Sequence, residues 1–279
     1  MGKLPLASGL SSGLEVVTVG TGTCVPRLGR RGPCTLVRGE GAVVAVDLGL
    51  GALHGLLRRG VRHADVDALL LTHLHPDHTA ELVPFLFAAR YDDRPRRRPL
   101  LVAGGPGLLS FFRVLSGAYG SWLEPQGYSR DVRELTVGDE LVVGGVSVRC
   151  GPVRHIPSSL AYRLEAGGAS VVVSGDTGPS PELEGFAAGA DLLVLEAGAA
   201  GREEADGAAQ HLLPRQAGEA ARRAGVGALV LNHFPFGPAC GRRASREAAE
   251  TFGKDVTVGR DGEVFQLMRR VGEADRTSR

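Results

Sequence analysis

Thr72-His73-Leu74-His75-Pro76-Asp77-His78 follows directly on Val66–Leu71 (VDALLL), a short and nearly continuous apolar run of the kind a buried strand shows. Four side chains that can ligate a metal lie within residues 73–78, and three of the chain's eight histidines fall in that window. Imidazole and carboxylate are the ligands zinc takes in catalytic sites. His73 and His75 alternate, so an extended backbone points both the same way, whereas Asp77 and His78 sit where the next helix begins. Two pairs aimed differently suit two ions about 3.5–4 Å apart, the spacing of two-metal hydrolases.

Outward from this loop, strands and helices alternate. Glu15–Gly20 reads as a strand, Cys34–Arg38 and Ala42–Asp47 as a hairpin joined at Gly39–Gly41, and Ala52–Arg59 as a short helix. Thr79–Ala89 has helical character, with a kink expected at Pro84, and Pro106–Tyr119 reads as a helix. Leu100–Ala103, Glu134–Leu135, Glu140–Val143, Val146–Cys150, Ala161–Leu164, Ser170–Ser174, Asp191–Glu196 and Ala228–Asn232 read as strands, with a helix at Pro214–Ala224. Asp255–Val258 and Val264–Met268 are expected to close the chain as a hairpin around Asp261-Gly262. Two mixed sheets with helices outside them, an α/β sandwich of four layers in the order αββα, is the simplest packing of this list. The expected organisation is a flexible N-terminus at 1–13, one domain over 14–270 and a flexible tail at 271–279.

Composition excludes several classes. With 32 Lys+Arg against 31 Asp+Glu the formal net charge is +1, so no whole-molecule field draws the chain to nucleic acid or membrane. Cys24, Cys34, Cys150 and Cys240 form no CxxC pair, which argues for a reduced, cytoplasmic setting and against a Cys₄ zinc site. No apolar run approaches ~20 residues, and Leu6 stands where a myristoylation signal needs Ser or Thr. Gly20-Thr21-Gly22-Thr23 is neither GxGxxG before a helix nor a P-loop, so nucleotide-fold readings are rejected.

The HxHxDH loop after a strand resembles that of the metallo-β-lactamase superfamily. The resemblance implies three further ligands at strand ends, in the order His, bridging Asp, His. Val148–Arg154 runs into His155, Val171–Gly175 into Asp176, and Ala228–Asn232 into His233. It therefore implies that His73, His75 and His155 hold one zinc, that Asp77, His78 and His233 hold another, and that Asp176 bridges them. The same imidazole and carboxylate set also suits Mn²⁺ or iron.

Within the superfamily the chain looks most like ribonuclease Z and related phosphodiesterases. The features are Val19–Pro26, Val46-Asp47-Leu48-Gly49, Leu195-Glu196-Ala197, and His211 ahead of a helix. In that branch an imidazole placed like His211 protonates the leaving alkoxide of a phosphodiester or stabilises the pentacovalent phosphorus. Glu196 is expected to orient it from behind. The implied reaction is attack by a metal-bridging hydroxide that Asp77 orients. One departure is a missing arm. Many bacterial members insert a tRNA-gripping arm between the ligands matching His155 and Asp176, where this chain has only 20 residues. A small or cyclic phosphodiester is therefore expected rather than tRNA, with a small-molecule ester as partner, nucleic acid not favoured, and a homodimer as the form common in the branch.

Alternatives stay open. The scaffold also serves lactone, β-lactam, thioester or sulfate-ester hydrolysis, a ribonuclease Z-type endonuclease and di-iron redox proteins. A non-catalytic module is disfavoured because all seven ligands are present. Arg94, Arg96, Arg97 and Arg98 could contact phosphate but read better as a solvated loop, and Trp122, Tyr128 and Phe236 are candidate pocket walls.

Overall fold

The structure, a computed structural model, describes residues 13–201, 210–237 and 241–268. The flexible ends expected at 1–13 and 271–279 lie outside the described residues, except Gly13, which opens the first strand.

The first half runs β1 (Gly13–Gly20), β2 (Cys34–Gly39), β3 (Ala42–Val46), α1 (Ala52–Arg58), β4 (Ala68–Leu71), α2 (Pro76–Thr79), α3 (Leu82–Tyr91), β5 (Leu100–Gly104), α4 (Leu108–Tyr119) and β6 (Arg130–Glu134). The second runs β7 (Glu140–Val143), β8 (Val146–Gly151), β9 (Ala161–Ala166), β10 (Ala169–Val173), α5 (Pro181–Phe186), β11 (Leu192–Glu196), α6 (Pro214–Ala224), β12 (Ala228–Asn232), α7 (Gly241–Phe252), β13 (Val256–Val258) and β14 (Glu263–Met268). Two seven-stranded sheets result, ordered β14-β1-β2-β3-β4-β5-β6 and β13-β12-β11-β10-β9-β8-β7. Both are mixed: β1–β2–β3 and β7–β8–β9–β10 pair antiparallel, and β3–β4–β5–β6 and β10–β11–β12–β13 pair parallel.

Three apolar layers give the four-layer αββα order. Between the sheets, Val16, Val44, Val46 and Leu70 meet Val148, Tyr162, Leu164, Val171 and Val194. Outside the first sheet, Leu69, Leu71 and Val102 pack on Leu56, Phe85 and Phe112 of the helices. Outside the second, Leu193, Leu195 and Leu231 pack on Leu183, Ala217, Ala221, Ala248 and Phe252. Central strands buried on both faces explain the unbroken apolar runs in the sequence.

Three expectations are corrected. β13 and β14 are not a hairpin: β13 pairs parallel with β12, and β14 pairs antiparallel with β1 in the other sheet. The 259–262 turn crosses between the sheets, and Asp261 holds it there by accepting from Thr21 Oγ1 at 2.7 Å and from the Arg31 amide at 2.7 Å. Pro84 kinks no helix. The chain breaks after α2 and α3 starts at Leu82, which leaves Pro84 in the first turn, where a missing N–H costs nothing. The charged β6 lies earlier than Glu134–Leu135, as an exposed edge strand.

Candidate dinuclear metal centre

The ligand-type side chains gather where strands end. His73–His78 leave β4 and run into α2, His155 follows β8, Asp176 follows β10, and His233 follows β12. Backbone hydrogen bonds tie these loops together: Leu160 N donates to Thr72 O at 2.8 Å, and Gly178 N to Arg154 O at 2.8 Å. Gly175 has φ +62°, and a Cβ there would lie 2.6 Å from Thr72 Cβ, so a glycine is needed for the Asp176 loop to approach the His73 loop.

The seven side chains form two adjoining groups around Asp176. Its Oδ2 lies 3.8 Å from His73 Nε2 and 4.0 Å from His155 Nε2, while its Oδ1 lies 3.3 Å from His78 Nε2 and 3.5 Å from His233 Nε2. His75 Nδ1 sits 3.0 Å from His73 Nε2 and 3.2 Å from His155 Nε2. Asp77 Oδ2 sits 3.3 Å from His233 Nε2 and 3.8 Å from His78 Nε2. His73, His75, His155 and Asp176 offer one atom each within 4.8 Å of one another, as do Asp77, His78 and His233.

This donor set fits cations. Three ring nitrogens that converge at 3.0–3.2 Å cannot all be satisfied by protons shared among themselves. Buried His78 Nε2 and Asp176 Oδ1 have no hydrogen-bond partner among the described residues, which is costly unless something else is bound. Burial, then the charge of His78, pushes His73 down to about 2, so its ring is a neutral lone-pair donor at neutral pH. Burial opposes ionisation of Asp176, yet the imidazoles of His233 and His78 outweigh it and hold the carboxyl well below its usual range.

Behind this cluster lies Asp47, whose place in the Val46-Asp47-Leu48-Gly49 string shows no role by itself. Asp47 accepts from Thr72 N, Thr72 Oγ1 and His78 Nδ1, each at 2.8 Å. Its φ of 62°, rare outside glycine, marked it only in three dimensions. Beside the cluster, Glu196 receives His211 Nδ1 and Thr177 N on Oε1, both at 2.8 Å, and Gly198 N on Oε2 at 2.6 Å. Burial raises the Glu196 carboxyl against the opposing effect of His211. The His211 ring stacks on His233 at 5.8 Å and 9° and keeps a quarter of its side chain exposed. A Cβ at Gly198 would stand 3.0–3.1 Å from Glu196 Oε2, His233 Nδ1 and His211 Nδ1, so a larger residue there would press on the pair.

In the basic loop Arg94, Arg97 and Arg98 are exposed, as a solvated loop requires, and Arg96 alone of the four departs from that reading. Arg96 is fully buried, donating to the carbonyls of His63 at 2.7 Å, Arg98 at 2.8 Å and Pro99, with its guanidinium over the Tyr128 ring. Arg98 pairs with Asp67. Trp122 lies against Phe87 and Tyr128 against Arg96, so neither stands among the cluster's contacts, whereas Phe236 lines a cavity between the start of α6 and α7.

Two seven-stranded mixed sheets between helical layers, with a His/Asp cluster at the strand ends, define a metal-dependent hydrolase of the metallo-β-lactamase fold. The chain belongs to that superfamily: the family model described as beta-lactamase superfamily domain matches residues 44–234. Among its relatives, ribonuclease Z of Mycobacterium bovis (strain BCG / Pasteur 1173P2) is 34% identical over 89% of this chain and 96% of its own length. The solved structure of the metallo-beta-lactamase fold protein YhfI from Bacillus subtilis is 25% identical, with TM-score 0.77 over 90% of this chain and 99% of that one. Human tRNase Z, short form, shares the fold at 20% identity and TM-score 0.70, over 90% and 98%. No described helix is long and apolar enough to cross a membrane.

Proposed function

We propose that the protein hydrolyses phosphodiesters, of the small or cyclic kind, with two zinc ions held by His73, His75 and His155 on one side, Asp77, His78 and His233 on the other, and Asp176 between them. The observation that carries this reading is the Glu196–His211 pair at 2.8 Å, set beside the cluster with Asp176 Oδ2 4.0 Å from His211 Nδ1. An alkoxide leaving a phosphodiester needs such a proton donor, and because lactones and β-lactams also expel poor leaving groups the substrate panel below decides between them. Divalent ions bound there supply an activated water and polarise the phosphoryl oxygen. Asp77 accepts a hydrogen bond from the attacking water and orients it. Glu196 accepts a hydrogen bond from His211 Nδ1–H, which orients the ring so that Nε2–H can protonate the departing oxygen and leave a neutral imidazole. The donor set also accommodates manganese or iron. Residues 14–270 act as one catalytic domain, because the core between the sheets joins strands from both ends of the chain.

Small substrates are favoured by the β9–β10 hairpin, whose Gly167-Gly168 turn occupies the position where an arm for tRNA would be inserted. A ribonuclease Z-type activity is the second reading. It is favoured by relatives of that name, of which this chain covers 96%. The test is a panel of bis-p-nitrophenyl phosphate, 2′,3′-cyclic AMP, a precursor tRNA with a 3′ trailer, a lactone and nitrocefin. Phosphodiester turnover that chelation abolishes and zinc restores is expected. Turnover of the lactone or nitrocefin with no phosphodiester cleaved would overturn the proposal.

A further inference from the structure

At His73 and His78 the ring nitrogen turned away from the cluster has a partner. His78 Nδ1 meets Asp47 Oδ2 at 2.8 Å, and His73 Nδ1 meets Thr72 Oγ1 at 3.1 Å. His233 differs: it is 6% exposed, and its buried Nδ1 has no hydrogen-bond partner among the described residues. Its Nε2 faces the cluster, 3.3 Å from Asp77 Oδ2 and 3.5 Å from Asp176 Oδ1. Nδ1 is therefore the nitrogen that carries the proton when Nε2 ligates. The preceding residue is in the same condition. Asn232 is 8% exposed, and its buried Oδ1 has no partner among the described residues. A buried donor and a buried acceptor on consecutive residues, both unmatched, point to a guest between them.

A cavity of about 20 Å³ is bordered by both residues, and Ser174 lines it too. It lies at the end of the intersheet layer nearest the cluster, floored by Val46, Val173 and Val194 of the intersheet core. The two-residue period of β12 puts Asn232 on the face of Val230, which belongs to that core. Pairing of Asn232 with Glu196 on β11 holds it in register. In an extended strand His233 would point to the opposite face. Its φ of +48° turns the chain at once, so consecutive side chains border one cavity.

We propose that this cavity is a binding site for one ordered water, and that Asn232 positions His233 through it. The volume exceeds the roughly 10–15 Å³ that one water needs and excludes an organic guest. The water accepts from His233 Nδ1–H and donates to Asn232 Oδ1. Ser174 Oγ gives its own proton to Gly175 O at 2.6 Å, so its oxygen is an acceptor for the second hydrogen of the water. About three hydrogen bonds is the usual complement of a buried water. An anion would meet the carboxylates of Asp47, Asp176 and Glu196 in the same wall, and a cation would meet the Nδ1 donor. Outer partners fix the tautomer and orientation of a ligating imidazole, so Asn232 does for His233, at one remove, what Asp47 does for His78. The positioning role rests on the two-metal reading above; the water site does not.

Two measurements test this. The first is the crystal structure of the wild-type protein, zinc-loaded and again after chelation, at a resolution that shows ordered waters. Density within hydrogen-bond reach of His233 Nδ1 and Asn232 Oδ1 is expected in both, and a dry cavity would overturn the proposal. The second is titration of zinc against a chromophoric chelator. Asn232→Leu, of similar volume but without an acceptor, should weaken one of the two ions by roughly tenfold and leave the other as it is. Asn232→Asp keeps the acceptor and should hold both near the wild-type level. A plain packing role predicts the reverse order, since leucine suits the apolar floor better than a further charge does. Wild-type zinc affinity in Asn232→Leu would overturn the positioning role. A wild type that binds no zinc but holds the water would remove the two-metal reading and leave the water site standing.

Discussion

Asp47 and His78, 31 residues apart in sequence, meet with Oδ2 2.8 Å from Nδ1. A carboxylate accepts, so Nδ1 carries the proton, and Nε2 faces Asp176 Oδ1 at 3.3 Å and Asp77 Oδ2 at 3.8 Å. Carboxylates behind a ligating imidazole fix its tautomer and raise its basicity, and their loss costs ~10–100-fold in metal affinity. Asp47→Asn keeps the shape, and asparagine tolerates the positive φ of 62°. Zinc affinity measured against a chromophoric chelator should fall by about that factor, with the circular dichroism spectrum unchanged. Wild-type affinity in Asp47→Asn would show that the contact does not support a ligand.

Asp176 faces both halves of the cluster, one oxygen to each. Removing a residue that serves one half should leave the other half loaded. By elemental analysis, His155→Ala and His233→Ala should each retain about one ion per chain, whereas Asp176→Ala should retain well under one. Equal metal content in all three variants would mean that Asp176 does not bridge.

In the proposed reaction His211 protonates the leaving group, so its importance should scale with how poor that group is. His211→Ala should slow cleavage of an alkyl or ribose ester by roughly 10²–10⁴-fold, and cleavage of a p-nitrophenyl ester much less, because p-nitrophenolate departs without a proton. Glu196→Gln should follow the same pattern in milder form. A loss independent of the leaving group would make His211 a binding residue only.

The clustering of the His and Asp side chains was legible because these residue types are rare and stand where apolar strands end, a local pattern that survives folding. Asp47 was not, since its role depends on contact with Thr72 and His78, and a strand-Asp-x-Gly string looks the same whether or not anything meets it. The closing hairpin was misread for a related reason. Asp261-Gly262 is a sound local turn signal, but the choice of pairing partner for β13 and β14 was made by the edges of two different sheets. α7 buries Ala244, Ala248 and Phe252, an i, i+4, i+8 stripe too small-chained to stand out. Arg96 looked like a solvated charge because nothing near it in sequence shows that the carbonyl of His63 points at it.

That burial makes Arg96 a structural residue with a measurable contribution. Its guanidinium satisfies three carbonyls, and truncation leaves them facing a void. Arg96→Ala should destabilise the fold by about 3 kcal/mol in denaturant unfolding, while Arg94→Ala, at an exposed position, should change it by less than about 0.5 kcal/mol. Equal effects would mean that the loop's carbonyls are solvated without Arg96.

The buried thiols set the alkaline limit of the fold. Burial pushes Cys150 up to about 12, with Asp139 adding to it, and burial likewise raises Cys34 well above the ordinary 9.0. Between about pH 9 and 12 the folded chain keeps a proton that the unfolded chain has released. The unfolded state therefore binds fewer protons, and stability falls as pH rises through that window. Denaturant midpoints should drop between pH 8 and pH 10.5, and the drop should be shallower in Cys150→Ala. Because the thiolate is the nucleophile, iodoacetamide at pH 8 should modify exposed Cys24 and leave Cys34 and Cys150 unmodified until denaturant is added. Alkylation of Cys150 at the rate of Cys24 in the native protein would contradict the raised value.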